Sequence, residues 1–317
     1  MTTSASPLRR RPAATRLLTG VATVSAAALL AACGGNSDPL DTSGEEDGGS
    51  DSSAVVVGSQ AYYSNEIIAE IYAQALEEAG MDVERQFQIG QRDRYLEALE
   101  ADEIDLIPEY SGNLLQFYET ETEARSPEDV ASALPDALPD GLAVLNRAEA
   151  QDADSYNVTA EFSEENGITS LTDLSGYEGT ITLGGNAELE SRPYGPPGLS
   201  EFYGVDVDFV AIGDSGGPLT KDAIRNGDIT MGDIYTADPD LASGDFVTLE
   251  DPESMILAQN VVPLLDAELA EDLAEVLDPI SAVLTTEDLI TMNARSVEEQ
   301  LDSATIASEW LAENGLA

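Results

Sequence analysis

The feature that most constrains the fold is a regular alternation, from Val55 onward, of short apolar runs with stretches of helical periodicity. The predicted elements are, in order, a strand over 55–57, a helix over 64–79, a strand over 83–89, a helix over 95–101 and a strand over 104–107. We predict Ser64 as the N-cap of the first helix, because a serine hydroxyl can satisfy a free backbone N–H there. This order is typical of a parallel sheet with helices on both faces. Ligands bind at the carboxyl ends of such strands, so the segments of interest are the predicted loops 59–63 and 108–113.

A second series of alternating elements begins near Thr180. The predicted elements are strands over 181–183, 207–212 and 229–234, a helix over 221–226, and closing helices over 266–277, 281–292 and 297–314. Two series of this kind predict an α/β fold of two lobes with a cleft between them.

The first 32 residues predict a signal peptide, because they lack acidic residues and combine four arginines with the apolar run 17–32. That run is too short to span a bilayer comfortably. It ends in Leu-Ala-Ala before Cys33, the sole cysteine, which matches the bacterial lipobox and predicts lipidation of Cys33. The alternative is ordinary signal-peptide cleavage that leaves Cys33 as a free thiol. The sequence does not distinguish export by the Sec route from export by the Tat route. Residues 33–53, rich in Gly, Ser and acidic side chains, predict a flexible tether. The folded part is therefore expected outside the cytoplasm, lipid-anchored to the outer face of the cell membrane.

The charge balance limits the partners, since 62 acidic residues face 13 basic ones and the formal net charge is −49. Such a surface repels nucleic-acid phosphates and anionic lipid headgroups. We therefore expect no nucleic-acid partner and no membrane contact beyond the lipid anchor. Lys221 is the sole lysine, and this near-absence favours adaptation to a salty medium over a simple need for solubility.

The residue inventory also argues against an enzyme. The chain has no histidine and a single cysteine, which removes the usual zinc sites, the Ser-His-Asp triad and the Cys-His dyad. We expect no catalytic residue, no metal and no cofactor. A lyase using paired carboxylates is one alternative, with Glu109 as its best-placed acid, although Glu109 is expected to hold the turn after its strand. A ligand-sensing module of a membrane receptor is the other alternative.

Five segments carry a more specific signal. They are 56–59 (VVGS), 103–112 (EIDLIPEYSG), 214–220 (DSGGPLT), 233–238 (DIYTAD) and 258–264 (AQNVVPL). In this order they resemble the glycine betaine/choline/carnitine-binding family of ABC-transporter substrate-binding proteins, the OpuAC/ProX-like group. The resemblance extends over residues 55–300.

The resemblance implies a two-lobed, periplasmic-binding-protein-like fold of type 2, with a hinge and a ligand cleft between the lobes. It places two chain crossings, near 156–159 and near 255–260. Lobe 1 would combine 54–156 with 260–317, and lobe 2 would be 157–259. Hinge closure would capture the solute and signal to an ABC permease, the expected protein partner.

The ligand implied by the resemblance is a quaternary-ammonium compatible solute, glycine betaine first and choline, carnitine or another betaine next. A trimethylammonium group has charge but no N–H, so it is bound by the negative faces of aromatic rings, at roughly 0.5 to 2 kcal/mol per ring. The resemblance implies ring positions at Tyr110, Tyr235 and Tyr156. Further candidates, on loops expected to face the cleft, are Tyr62, Tyr63 and Tyr194.

A zwitterionic ligand also needs hydrogen-bond donors for its carboxylate. Ser111 and Asn113 follow Tyr110, and the free N–H groups of a helix beginning there would attract an anion. Gln259 and Asn260 lie at the second crossing, where they either reach the ligand or brace the hinge.

Overall fold

The computed structural model describes residues 54–317. The predicted signal peptide, Cys33 and the predicted tether lie outside the described residues. Within the described residues, no helix combines the length and the apolar character needed to cross a bilayer.

The strands and helices that the sequence predicts are present in the predicted order with shifted boundaries, whereas the strands over 142–144, 156–159, 246–248 and 261–266 and the helices over 127–137, 160–166 and 196–203 were not predicted. The strands are β1 (Val55–Gly58), β2 (Val83–Gln86), β3 (Leu106–Tyr110), β4 (Leu142–Val144), β5 (Tyr156–Thr159), β6 (Thr182–Gly185), β7 (Asp208–Ala211), β8 (Met231–Asp233), β9 (Phe246–Thr248) and β10 (Val261–Asp266). The helices are α1 (Tyr63–Glu78), α2 (Arg92–Glu100), α3 (Ser111–Tyr118), α4 (Pro127–Ala137), α5 (Ala160–Asn166), α6 (Pro196–Tyr203), α7 (Pro218–Asn226), α8 (Ala270–Val283), α9 (Thr286–Val297) and α10 (Ser303–Asn314).

These strands form two separate five-stranded sheets. The first has the order β2-β1-β3-β10-β4 and the second the order β7-β6-β8-β5-β9. We call lobe 1 the first sheet with α1–α4 and α8–α10, and lobe 2 the second sheet with α5–α7. Two α/β lobes are therefore present, as predicted. Each sheet is mixed rather than wholly parallel, because β10 runs antiparallel to both β3 and β4, and β5 runs antiparallel to both β8 and β9.

The chain crosses between the sheets twice. It leaves lobe 1 after β4 and returns to it before β10. The two connecting segments run side by side, because Gln151 and Asn260 form an antiparallel bridge and the Asp152 N–H donates to the Gln259 carbonyl at 3.3 Å. The segment 156–159, where the resemblance implied the first crossing, is strand β5 of lobe 2 itself.

Each lobe has apolar cores that bury the faces of its sheet. In lobe 1, α1 packs with α8, α9 and α10 around fully buried side chains such as Ile67 and Leu277. The opposite face of the same sheet is covered by α2, α3 and α4 around Leu114. In lobe 2, the main core collects Leu183 and Met231 from adjacent strands. The cores fix both sheets, so the residues at their strand ends are held in defined positions.

Two predicted boundaries in the first half of lobe 1 are wrong. The first helix begins at Tyr63, one residue before Ser64, and Tyr62 occupies the N-cap position without a side-chain capping bond. The predicted strand 83–89 ends at Gln86, because Gln88 adopts a positive φ of 56°, which extended backbone does not allow.

The prediction of a loop over 108–113 is also wrong. Strand β3 begins later than predicted but continues through Pro108 to Tyr110, and α3 follows directly at Ser111. The antiparallel pairing with β10 extends the strand, since Tyr110 is opposite Val261. A helix therefore does begin at Ser111, as we predicted.

Candidate ligand-binding cleft

A cavity lies between the two lobes, beside the first crossing segment. Its volume is about 580 Å³ when the part that opens to solvent is included. The lining comprises Gln60, Tyr62, Gln91, Arg92, Tyr110 and Asn113 from lobe 1, Asp152 and Asp154 from the crossing, and Asn186, Glu188, Leu189, Arg192, Tyr194, Asp233 and Tyr235 from lobe 2. Both lobes thus contribute tyrosines and polar side chains to one concave site, the usual location of a small-molecule site in two-lobed proteins.

Two tyrosines from opposite lobes contact each other across this cavity. The ring of Tyr62, just before α1, meets that of Tyr235, which follows β8, edge to face with centroids 4.8 Å apart. Tyr63 packs against the other side of Tyr62 in a similar geometry at 4.9 Å. Edge-to-face packing is a preferred arrangement of aromatic rings because it brings a positive ring edge to a negative ring face.

Tyr110 ends strand β3 and forms a third aromatic wall. Its side chain is buried, and its Oη interacts with the Asn65 side chain but makes no hydrogen bond of standard geometry among residues 54–317. Burial raises the pKa of Tyr62, Tyr110 and Tyr235 well above that of an exposed phenol. All three side chains therefore stay neutral at physiological pH.

Asp152, in the first crossing segment, connects groups of both lobes. Tyr62 Oη donates to its Oδ2 at 3.1 Å, and the backbone N–H of Ala237, in lobe 2, donates to its Oδ1 at 2.8 Å. Burial raises the pKa of Asp152 to about 7. This carboxyl group is therefore poised to gain or lose a proton near neutral pH.

Two further acids, Asp154 and Asp233, line the cavity. Asn113 Nδ2, in the first turn of α3, donates to Asp154 Oδ2 at 2.6 Å. The Ser155 N–H donates to Asp233 Oδ1 at 3.3 Å. Burial, together with the neighbouring Asp154 carboxylate, raises the pKa of Asp233 well above its usual value.

The arginines of the cavity lining already have acidic partners. Arg92 donates to both carboxylate oxygens of Glu109, from Nε at 2.7 Å and from Nη2 at 3.0 Å. Tyr95 Oη also donates to Glu109, at 2.6 Å. Arg192 of lobe 2 donates to Asp93 of lobe 1 at 3.2 Å. Since Glu109 is fully buried in this ion pair, it holds Arg92 and is not presented to the cavity as a free acid.

Comparison with known proteins identifies this architecture. The family model for the substrate-binding domain of ABC-type glycine betaine transport systems matches residues 53–313. The chain belongs to this family. The resemblance carried by the five sequence segments is thus confirmed. Members of the family are substrate-binding components of transport systems rather than enzymes.

Individual relatives agree with the family match. The glycine betaine-binding protein YehZ of Escherichia coli is 27% identical over 276 residues, which is 82% of this chain and 90% of YehZ. The solved structure of apo YehZ has a TM-score of 0.60 at 26% identity, and the match covers 84% of this chain and all of that chain.

More distant solved structures confirm the fold. The crystal structure of a glycine betaine/carnitine/choline ABC transporter protein has a TM-score of 0.66 at 16% identity, over 83% of this chain and 99% of that one. Lactococcal OpuAC, in its closed-liganded conformation with glycine betaine, has a TM-score of 0.57 at 14% identity, over 83% and 96% of the two chains. The predicted periplasmic-binding-protein-like fold is therefore confirmed for this OpuAC-family chain.

Some of the candidate residues named from the sequence line the cavity, and the others do not. The lining group is Tyr62, Tyr110, Asn113, Tyr194 and Tyr235. Tyr63 lies outside the lining, against Tyr62. Tyr156 lies in the core of lobe 2, where its hydroxyl donates to the backbone carbonyl of Tyr194 and so fixes the chain next to a lining ring.

The remaining candidates join α3 to the second crossing segment. Ser111 Oγ donates to the Ala258 carbonyl at 3.1 Å. Gln259 accepts from the Asn113 N–H at 2.9 Å and donates to Asn113 Oδ1 at 2.7 Å. Asn260 Nδ2 donates to the Ala148 carbonyl at 2.8 Å. In this conformation these side chains brace the crossing, and none of Ser111, Gln259 and Asn260 lines the cavity.

The sequence analysis missed much of the polar lining of the cavity. The missed polar residues are Gln60, Gln91, Arg92, Asp152, Asp154, Asn186, Glu188, Arg192 and Asp233, and the apolar Leu189 was missed as well. Asp233 could have been predicted as a cavity residue, because it lies two residues before Tyr235 at the end of a strand. Asp152 and Asp154 could not have been predicted, because they are two of 62 acidic residues in the sequence and only the chain crossing buries them.

Proposed function

We propose that this OpuAC-family chain is the extracytoplasmic, lipid-anchored binding protein of an ABC importer, and that it captures a quaternary-ammonium compatible solute between its lobes. The observation that carries the proposal is that neutral tyrosine rings of both lobes line one cavity, with Tyr62 and Tyr235 in contact across it. The family match supports the transport role. Glycine betaine, the ligand in the structure of lactococcal OpuAC, supports the solute class.

The chemistry of the cavity suits a cation without N–H groups. Tyr62, Tyr110 and Tyr235 offer ring faces whose electron density attracts such a cation. Tyr62 and Tyr110 are buried and Tyr235 is half-buried, which limits the access of competing water. Rings from both lobes can contact one ligand only when the lobes are together. Ligand binding would therefore stabilise the closed arrangement, which is the form that a permease can distinguish from the open one.

Calorimetric titration of the purified full chain tests this proposal. The ligands are glycine betaine, choline, carnitine and, as a negative set, free amino acids, all at high salt. We expect saturable binding of at least one quaternary-ammonium compound and none of the amino acids. Binding of amino acids alone would contradict the proposal.

Matched substitutions at Tyr235 test the role of its ring. Tyr235→Phe keeps the aromatic face and loses only the hydroxyl, which accepts from Asn186 Nδ2 at 3.3 Å. Tyr235→Leu keeps a large apolar side chain but removes the aromatic ring face. We expect Tyr235→Phe to bind close to normally and Tyr235→Leu to weaken Kd roughly 2- to 30-fold, the equivalent of one cation–π contact. Tyr177→Leu is the control, because Tyr177 packs on Phe162 in lobe 2 and does not line the cavity.

The lipid anchor has a separate test. The lipobox ending at Cys33 supports lipidation, and Cys33→Ala removes the thiol that would carry the lipid. We expect the wild-type chain in the membrane fraction and the variant released in soluble form outside the cytoplasm. Equal membrane retention of both chains would contradict lipidation of Cys33.

A further inference from the structure

Three aspartates line the cavity without a cationic partner. Asp152, Asp154 and Asp233, which we call the carboxylate wall, are 5%, 8% and 3% exposed. They accept hydrogen bonds from neutral donors, namely Tyr62 Oη, the Ala237 N–H, Asn113 Nδ2 and the Ser155 N–H, and the side chains of Asp233 and Asp154 also hydrogen-bond to each other. Within the described part of the chain, none of the three forms an ion pair. Buried carboxylates are normally paired, and without a cation they keep their protons, in agreement with the raised pKa of Asp152 and of Asp233. A cationic ligand beside the three carboxyl groups would favour their ionised forms and would itself be stabilised by them.

The basic groups near the cavity do not supply such a cation. Arg92 is held by both oxygens of Glu109. Arg192 donates to Asp93, away from the wall. The lining as a whole carries four acidic side chains, the wall and Glu188, against these two arginines. Because Glu109 already neutralises Arg92, the cavity attracts cations.

The donor expected for a ligand carboxylate is also occupied. Asn113 Nδ2 donates to Asp154, and Asn113 Oδ1 accepts from Gln259 Nε2. A ligand carboxylate would therefore have to displace Asp154 and then lie beside it. Two carboxylates at such a distance repel each other strongly in a buried site.

A separate observation points to a hydroxyl group on the ligand. Tyr110 lines the cavity, and its buried Oη interacts with the Asn65 side chain but makes no hydrogen bond of standard geometry among residues 54–317. A phenol hydroxyl can both donate and accept, so an alcohol can satisfy it. An unsatisfied buried hydroxyl destabilises the protein, and a ligand that fills this need gains affinity.

We propose that the carboxylate wall makes this cleft select ligands of net positive charge, specifically quaternary-ammonium alcohols such as choline, over zwitterions such as glycine betaine. The two molecules share the trimethylammonium group and differ at the other end, a hydroxymethyl group against a carboxylate. The inference rests on the proposed function. It places choline before glycine betaine, whereas the resemblance implied glycine betaine first.

Calorimetric titration of the full chain with choline, glycine betaine, glycine betaine methyl ester and tetramethylammonium tests the inference. We expect choline to bind at least tenfold more tightly than glycine betaine. The methyl ester, which has lost the negative charge, should bind more tightly than glycine betaine itself. Glycine betaine binding as tightly as choline overturns this inference and leaves the proposed function standing. If none of the four binds, both the proposed function and this inference are overturned.

A matched pair of variants assigns the selectivity to the wall. Asp154→Asn removes one wall charge with little change of shape, and Asp228→Asn removes an exposed charge elsewhere on lobe 2. We expect Asp154→Asn to lower the ratio of choline to betaine affinity at least fivefold, and Asp228→Asn to leave it unchanged. An unchanged ratio in a folded Asp154→Asn protein, checked by its thermal midpoint, overturns the role of the wall. If Asp154→Asn does not fold, Asp233→Asn replaces it in this experiment. The comparison of ligands on the wild-type protein tests the selectivity itself without either variant.

Discussion

Arg192 of lobe 2 and Asp93 of lobe 1 form an ion pair at 3.2 Å that joins the two lobes beside the cavity. The Arg192 guanidinium also lies over the ring of Phe117, in lobe 1, at 5.6 Å from the ring centroid. Both contacts must break when the lobes separate. Arg192 therefore stabilises the closed arrangement, although it is not one of the tyrosines that line the cavity.

Replacement of Arg192 should accelerate ligand release. An exposed ion pair contributes about 0.2–1 kcal/mol and an exposed cation–π contact about 0.5–1 kcal/mol, so Arg192→Gln should raise koff about 3- to 30-fold with a smaller effect on kon. Stopped-flow displacement of bound ligand measures this. Arg94→Gln is the control, because the Arg94 pair with Glu97 lies within α2. Equal koff values for Arg192→Gln and the wild type would show that the pair does not hold the lobes together.

The ion pair of Arg92 with Glu109 should be sensitive to the loss of one partner. Glu109→Gln leaves the Arg92 charge buried without a counterion, and such changes lower the free energy of unfolding by about 3–5 kcal/mol. Replacing both residues, as Arg92→Met with Glu109→Gln, should restore much of that loss. Urea unfolding monitored by circular dichroism measures all three proteins. Glu77→Gln is the control, since Glu77 pairs with Arg85 at the surface and should lose no more than about 1 kcal/mol.

The stability of the ligand-free protein should fall as the pH rises from 5 to 8. Burial raises the pKa of Asp152 from 3.8 to about 7, so the folded state holds a proton that the unfolded state has already lost in this range. Stability then declines by up to about 1.4 kcal/mol per pH unit for one such group, and the decline ends above the folded-state pKa. Asp233, whose pKa is also raised, acts in the same direction. The lowered pKa of Glu77 affects stability only below this window.

Thermal unfolding at several pH values checks this expectation. The midpoint of the wild-type protein should be higher at pH 5.5 than at pH 8, and Asp152→Asn should have a flatter profile because asparagine does not titrate. Asp228→Asn should keep the wild-type slope. The same slope in Asp152→Asn and the wild type would contradict the assigned role of Asp152.

Features that depend on residues close in sequence could be predicted, and features that depend on contacts between distant residues could not. The elements that were predicted follow in the right order, because apolar spacing is set within each element, whereas three-residue strands such as β4 and β9 are too short to give such a pattern. The boundaries near Ser64 and Gln88 were not, since they depend on a tyrosine at an N-cap position and on one residue with positive φ. Strand β3 is longer than predicted because β10, more than 150 positions later in the chain, pairs with it up to Tyr110.

The same division applies to the cavity. The family resemblance implied that Tyr110 and Tyr235 contact the ligand, and their positions at or just after strand ends agree with this, since ligands bind at the carboxyl ends of such strands. Asp152 and Asp154 could not be predicted, because they lie in a connection with no regular structure. What distinguishes them from other acidic residues is burial by groups distant in sequence, such as Asn113 and Ala237.

The acidic surface leads to a final prediction about salt. A formal net charge of −49 destabilises the compact state through self-repulsion, and salt weakens that repulsion as the Debye length falls to about 3 Å at 1 M. If the acidity is an adaptation to a salty medium, the thermal midpoint should rise steeply with NaCl up to about 1 M and then level off. A linear rise without a plateau would indicate general exclusion of salt from the protein surface instead. A midpoint independent of salt would contradict the adaptation, because the repulsion would then be too weak to affect folding.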